Sequence, residues 1–250
     1  MKVIVPVKRV IDPYVKIRIL PNGREVETQH VKHAMNPFDE IALEEAIRLY
    51  EKKIVTDILA VSIGTEVCQE TLRHALALGA TRAQLIQTSQ SSLGSLNIAK
   101  ILRAIVQQEQ ANLVLLGKQA IDDDNNQTPQ MLAAMLSWPQ ATFASMLQID
   151  GNTCVVAREV DSGTETLKLT LPAVVSVDLR LNTPRYASLP NIMKAKQKPL
   201  VITPLEALAL PLKEHYSSLS IKAPETRKSG IKVASVEELI EKLKHDAKVL

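Results

Sequence analysis

The strongest constraint in this sequence is an alternation over its first 140 residues: short runs apolar throughout, then longer segments apolar on one side only. VIVPV (3–7) is a β-branched run suited to a buried strand. VKIRIL and REVET around Pro21-Asn22-Gly23 read as a small exposed hairpin with Asn-Gly turn chemistry. In NPFDEIALEEAIRLYEKK, Asn36 is placed to cap, Pro37 fits the first helical position, and Asp39 and Glu40 suit the positive end of the helix dipole. Leu43, Ala46, Ile47 and Tyr50 form its apolar stripe, and Glu44 pairs with Arg48 one turn on. TDILAVSIG, AQLIQT and NLVLLG continue as strands, separated by helices over 65–80 and 95–108 and followed by one starting near Thr128-Pro129. Apolar strands alternating with amphipathic helices predict an open, mostly parallel α/β sheet covered by helices on both faces.

After Trp138 the pattern changes. Residues 142–179 read as consecutive strands with turns at Asp150-Gly151 and Ser162-Gly163, expected as antiparallel additions to the same sheet. This predicts an α/β domain over 1–182 and an extended arm over 183–250, with little regular structure before a helix at 235–247 capped by Ser235. So long an irregular stretch is expected to pack on another subunit. It opens on RYASLPNIMKAKQKP, where greasy side chains stand among prolines and lysines. No acidic residue lies between Asp178 and Glu206, so that interval alone carries +5 against +3 for the whole chain.

Composition narrows the classes. Thirty basic residues against 27 acidic ones is too even for a general nucleic-acid binder. Cys68 and Cys154 are far apart and in no zinc-ligand spacing, so a disulfide framework is not expected, nor is a metal site, and Cys68 reads as a small core residue. No run reaches the ~20 apolar residues that a membrane span needs, and MKVIVPVKRVID is too short an apolar run for a signal peptide. A bacterial cytoplasm is the expected location, or the mitochondrial matrix for a eukaryotic source.

Parallel sheets bind ligands beyond the carboxyl ends of their strands. Three loops lie there: the one after 3–7, Asn36 to Asp39, and GKQAIDDDNNQT (117–128). The third begins at Gly117, which permits close backbone approach, and ends with Asn126, Gln127 and Thr128 at a helix start suited to an anion. Asp122 to Asp124 could accept hydrogen bonds from ribose hydroxyls, so a nucleotide monophosphate fits. Two rivals stand beside it. Asp122, Asp124 and Asn126 have the spacing of a calcium loop, but Gln127 replaces its glycine and Ala133 its final glutamate; a capped loop with solvated carboxylates is the default. Neither a Walker motif nor GxGxxG occurs. Glu159 and Asp161 share a strand face and read as solvated or salt-bridged. Without a catalytic constellation, a nucleotide-binding protein with no covalent chemistry outranks an enzyme.

VPVKRVID (5–12), VKHAMNPFDEIALEEAIRL (31–49), GKQAIDDDNNQT and DLRLNTPRYASLPNIMKAK (178–196) together resemble the β subunits of electron transfer flavoproteins, in order along nearly the whole chain. The resemblance implies an adenine nucleotide α-hydrolase-like sheet and a heterodimer with an α subunit that carries most of an FAD site, the β subunit holding structural AMP. Electrons would come from acyl-CoA dehydrogenases and related flavoenzymes and leave to a membrane quinone oxidoreductase. AMP contacts are implied at Pro6, at Asn36, Pro37, Phe38 and Asp39, at Ile63, and along Gly117, Lys118, Gln119, Ala120, Ile121, Asp122, Asp123, Asp124, Asn125, Asn126, Gln127 and Thr128. Pro129 stands where many relatives have glycine, and Glu159 matches a position near the flavin. The segment Arg185, Tyr186, Leu189, Pro190, Asn191, Ile192, Met193, Lys194, Lys196 and Lys198 would be the loop that anchors the dehydrogenase. In it Leu189 and Ile192 serve as anchors, while Arg185, Lys194, Lys196 and Lys198 form a basic rim. A bifurcating relative with a second FAD in place of AMP, and a monomeric nucleotide sensor, are the alternatives.

Overall fold

The computed structural model describes residues 1–90, 93–227 and 229–250. The chain runs β1 (Lys2–Pro6), β2 (Arg9–Ile11), β3 (His33–Met35), α1 (Pro37–Glu51), β4 (Asp57–Gly64), α2 (Gln69–Leu78), β5 (Arg82–Gln87), α3 (Gly94–Glu109), β6 (Leu113–Gly117) and α4 (Thr128–Leu136). It continues β7 (Gln140–Asp150), β8 (Thr153–Val160), β9 (Gly163–Thr170), β10 (Ala173–Val177), α5 (Leu189–Ala195), β11 (Leu200–Pro204) and α6 (Val236–His245).

Nine strands form one sheet in the order β11-β5-β4-β1-β6-β10-β7-β8-β9. It is parallel from β11 to β7, and β8 and β9 add to it antiparallel. The predicted open, mostly parallel sheet with antiparallel additions is therefore the fold. Both faces are covered. Val3 and Val5 point to one side and pack with α1 and α2, while Ile4 points to the other and packs with α3 and α4. β10 departs from the meander expected after Trp138: it inserts between β6 and β7, parallel to both. All five of its residues are buried, as a central strand requires.

Residues 1–17 and 27–217 make one compact unit, and residues 18–26 and 218–250 a second. Within the second, the expected hairpin reduces to a single bridge, Ile19 to Val26, around Gly23 at φ +63°. Ser235 caps α6 by accepting from the Glu238 N–H at 3.2 Å, as anticipated.

Regular structure returns well before 235, contrary to expectation. Pro190 occupies the second position of α5, where a missing N–H costs nothing. Pro204 ends β11, a strand at the sheet edge that tolerates proline. These prolines delimit elements and do not prevent them. α5 is fastened to α2: Ala195 is buried there, and Arg73 donates to the carbonyls of Ala195 and Lys198 at 2.8 and 2.9 Å.

Candidate functional site

The chain leaves β1 for β4 and β5 on one side, then returns to β6 on the other. The sheet's order therefore reverses at β1, and the loops after β1, β4 and β6 open at that point. Pro6 ends β1, Ile63 lies near the end of β4, and Gly117 ends β6.

α1 starts inside this cluster. Asn36 is 1% exposed and its backbone carbonyl accepts from Asp39 and Glu40, but its side chain does not cap the helix. The expected capping role is replaced by a tether. Asn36 Nδ2 donates to the Gln119 carbonyl at 2.9 Å, and Oδ1 accepts from the Ile121 N–H at 3.2 Å. Pro37 opens the helix as anticipated. The apolar stripe is shifted: Leu43, Ala46 and Ile47 are buried with Ala42 and Leu49, while Tyr50 is exposed. Glu44 and Arg48 pair at 2.8 Å.

Asp39 is buried, and Oδ2 accepts from the Lys8 N–H at 2.8 Å. Burial pushes its carboxyl up to about 7, against the backbone N–H groups of Lys8 and Gly117, which favour the anion. The folded chain thus keeps a proton that the unfolded chain loses near pH 4, so stability falls as pH rises toward 7. The slope can reach about 1.4 kcal/mol per pH unit. Burial depresses His74 and works in the opposite direction across part of this window. The diagnostic measurement is therefore a difference: between pH 5 and pH 7, the urea midpoint of Asp39→Asn should rise relative to that of the unsubstituted protein. A pH-independent difference would contradict this assignment.

Gly117 is the tightest point. A Cβ built there would run into Asp39 Oδ1 and lie 2.6 Å from Phe38 Cβ and 2.9 Å from the Phe38 carbonyl carbon. The close approach expected of Gly117 is made by the first turn of α1. Phe38 in turn lies under the Lys118 ammonium, 5.2 Å from ring centroid to Nζ, and Lys118 donates to Asp178 at 2.8 Å. Burial works to raise the Asp178 carboxyl, but Lys118 and the Arg180 N–H outweigh it and hold it below its ordinary range.

The rest of the loop folds back on itself. Ala120 O accepts from the Asp124 N–H at 2.9 Å, and Asp124 and Asn126 adopt left-handed backbone with φ of +49° and +50°. Asp122 and Asp123 accept from Lys8 Nζ at 2.7 and 3.0 Å, and Asp124 from Gln119 at 2.8 Å. The calcium spacing is thus occupied by Lys8 and Gln119. Burial works to lower the Lys8 ammonium, yet the two carboxylates outweigh it and raise it. Lys8 is the residue that sequence reasoning missed. Its loop was a candidate, but nothing in VPVKRV foretold that Nζ reaches residues more than a hundred positions away.

α4 begins at Thr128 with Pro129 buried next, and Gln127, at its cap, supplies no side-chain hydrogen bond to the helix. Gln130 Oε1 is buried and has no partner among the described residues, while its Nε2 donates to Asn126 Oδ1 at 3.4 Å. An uncapped helix start beside an orphaned acceptor suits a ligand bearing both an anion and a donor. The residues present therefore fit a nucleotide monophosphate.

Elsewhere, Tyr186 is 98% exposed, Leu189 73%, Met193 56% and Ile192 43%. Pro190, Asn191, Lys194 and Lys196 are exposed around them. Arg185 turns inward, to Glu44 at 2.8 Å and Glu51 at 2.6 Å, and Lys198 donates to the carbonyls of Leu76 and Ala80 at the end of α2. Both pin the apolar surface to the sheet's helices. Glu159 on β8 accepts from Arg180 at 2.6 Å. Cys68 and Cys154 are free and buried. Among the described residues no helix is long and apolar enough to cross a membrane.

A loop cluster at the reversal of strand order in a helix-covered sheet makes this a doubly wound α/β protein. Residues 24–208 match the electron transfer flavoprotein domain. The chain is 54% identical to the mitochondrial electron transfer flavoprotein subunit beta of Arabidopsis thaliana and 52% identical to the subunit beta of Bradyrhizobium diazoefficiens, each over the whole of both chains. It is 51% identical to the human subunit beta over all of this chain and 99% of that one. The chain belongs to the electron transfer flavoprotein family, as a β subunit: an electron carrier without catalysis of its own.

Proposed function

We propose that this chain pairs with an electron transfer flavoprotein α subunit, holds AMP at the β1, β4 and β6 loops, and docks dehydrogenases through α5. The observation that carries the AMP site is the junction of α1 with the 117–128 loop, joined by Asn36 and followed by the uncapped start of α4. Pro6, Asn36 to Asp39, Ile63 and Gly117 to Thr128 surround the nucleotide. The α4 N–H groups face its phosphate, and the free carboxylate oxygens of the loop face its ribose. FAD, held mainly by the α subunit, supplies the redox chemistry. Glu159, oriented by Arg180, lies on the side facing the flavin, and the segment from 183 onward packs against the α subunit.

Donors are acyl-CoA dehydrogenases and related flavoenzymes, and the acceptor is a membrane quinone oxidoreductase. The exposed apolar patch of Tyr186, Leu189, Ile192 and Met193 supports the docking role, because a surface so apolar on a firmly held base suits a partner. Lys194 and Lys196 supply exposed positive charge beside it, which steers an acidic partner.

The test is nucleotide extracted from the purified heterodimer. One AMP and one FAD per heterodimer are expected. Two FAD and no AMP would replace this reading with that of a bifurcating relative, and a stable nucleotide-binding monomer would replace it with a sensor.

A further inference from the structure

We propose that Lys8 sets the phosphate tolerance of the nucleotide site by neutralising Asp122 and Asp123; this rests on the AMP reading above. Three consecutive carboxylates stand in the loop that leads to α4, four to six residues before Thr128 at that helix start. Left unpaired, they would repel a phosphate and one another over a Debye length of about 8–10 Å. Lys8 Nζ bridges the first two at 2.7 and 3.0 Å. Among the described residues, the Asp124 carboxylate is paired only with a neutral amide, from Gln119.

The Lys8 backbone is itself fixed, since its N–H donates to Asp39 and its carbonyl accepts from the Asn36 N–H at 2.9 Å. The ammonium is therefore delivered from the end of β1, and one residue connects the loop after β1 with the Asn36–Asp39 turn and the loop after β6. The side chains of Lys8, Asp122 and Asp123 are each about two-fifths exposed, 43%, 41% and 43%. Ion pairs so open to water contribute little to folding. Their effect is instead on the local potential that a charged ligand meets, and it should depend on the ligand's charge.

The experiment compares AMP with adenosine by calorimetry on heterodimer prepared without nucleotide, for the wild type, Lys8→Met, Lys8→Arg and the triple variant Lys8→Met, Asp122→Asn, Asp123→Asn. Lys8→Met should weaken AMP about tenfold and adenosine less than twofold. Lys8→Arg should stay near wild type, and the triple variant should recover most of the lost AMP affinity, because it removes the repulsion with the lysine still absent while each asparagine keeps an oxygen that can accept from the ribose. Equal losses for AMP and adenosine without recovery in the triple variant would make Lys8 a structural tether only and overturn the inference. Unchanged AMP affinity in Lys8→Met would overturn it as well. A wild type that binds neither ligand would instead overturn the AMP reading on which it rests.

Discussion

Gly117→Ala should lower the stability of the chain by about 3 kcal/mol and lower the yield of bound AMP about a hundredfold. The cause is steric. The new methyl would meet Asp39 Oδ1 and the backbone of Phe38, and backbone cannot swing aside as a long side chain would. Overpacking of a well-filled site costs about 1–3 kcal/mol. Here relief requires displacing the first turn of α1, which would also strain the Asn36 bonds to Gln119 and Ile121. Those bonds hold the loop against the helix, so the damage should spread to the ligand site. Gly230→Ala is the matched control, because none of the described residues lies within 4 Å of its would-be Cβ and its backbone needs no left-handed geometry. It should change the urea midpoint by no more than a surface substitution does, about 0.5 kcal/mol. If both substitutions behave alike, the close approach at Gly117 is not a real constraint. Stability loss with AMP retained in full would separate the turn of α1 from the nucleotide site.

What could be read from the sequence follows from how local each signal is. Strands such as LVLLG and the helix at 37–51 were legible because periodicity and capping residues lie within one element. The candidate loops were legible too, since strand ends locate them without side-chain detail. The failures involve partners remote in the chain. Asn36 has the identity of a cap, yet Gln119 and Ile121 hold its side chain. Arg185 and Lys198 add to the charge count of a basic segment, but Glu44, Glu51 and the end of α2 take them up. β10 was read as one more antiparallel strand, because the sequence gives no sign that it inserts between β6 and β7. Prolines misled for a related reason: their effect depends on whether the missing N–H falls at a helix start or a sheet edge, and only the topology decides that.

Leu189→Ala should leave assembly intact and slow electron transfer from reduced acyl-CoA dehydrogenase, through a loss of docking affinity of about thirtyfold. The residue is 73% exposed at the first position of α5, so its truncation opens no cavity, and folding should change by less than about 0.5 kcal/mol. A central apolar anchor at an interface is worth about 2 kcal/mol or more, which sets the thirtyfold figure. The base beneath it should not move. Ala195 stays buried against α2, Arg73 holds the end of α5, and Arg185 ties the preceding segment to α1. The assay is transfer rate against dehydrogenase concentration, with FAD and AMP content measured on the same sample. A raised half-saturation concentration with an unchanged limiting rate identifies lost anchoring; unchanged transfer at all concentrations would move the docking site away from α5. A variant that fails to assemble would make the exposed leucine part of the subunit interface. Lys194→Glu with Lys196→Glu gives the electrostatic counterpart, slowing association most at low salt because screening already weakens those charges at higher ionic strength. Anchor and charge thus act on different stages of the same encounter: the lysines bring the partner in, and Leu189 holds it.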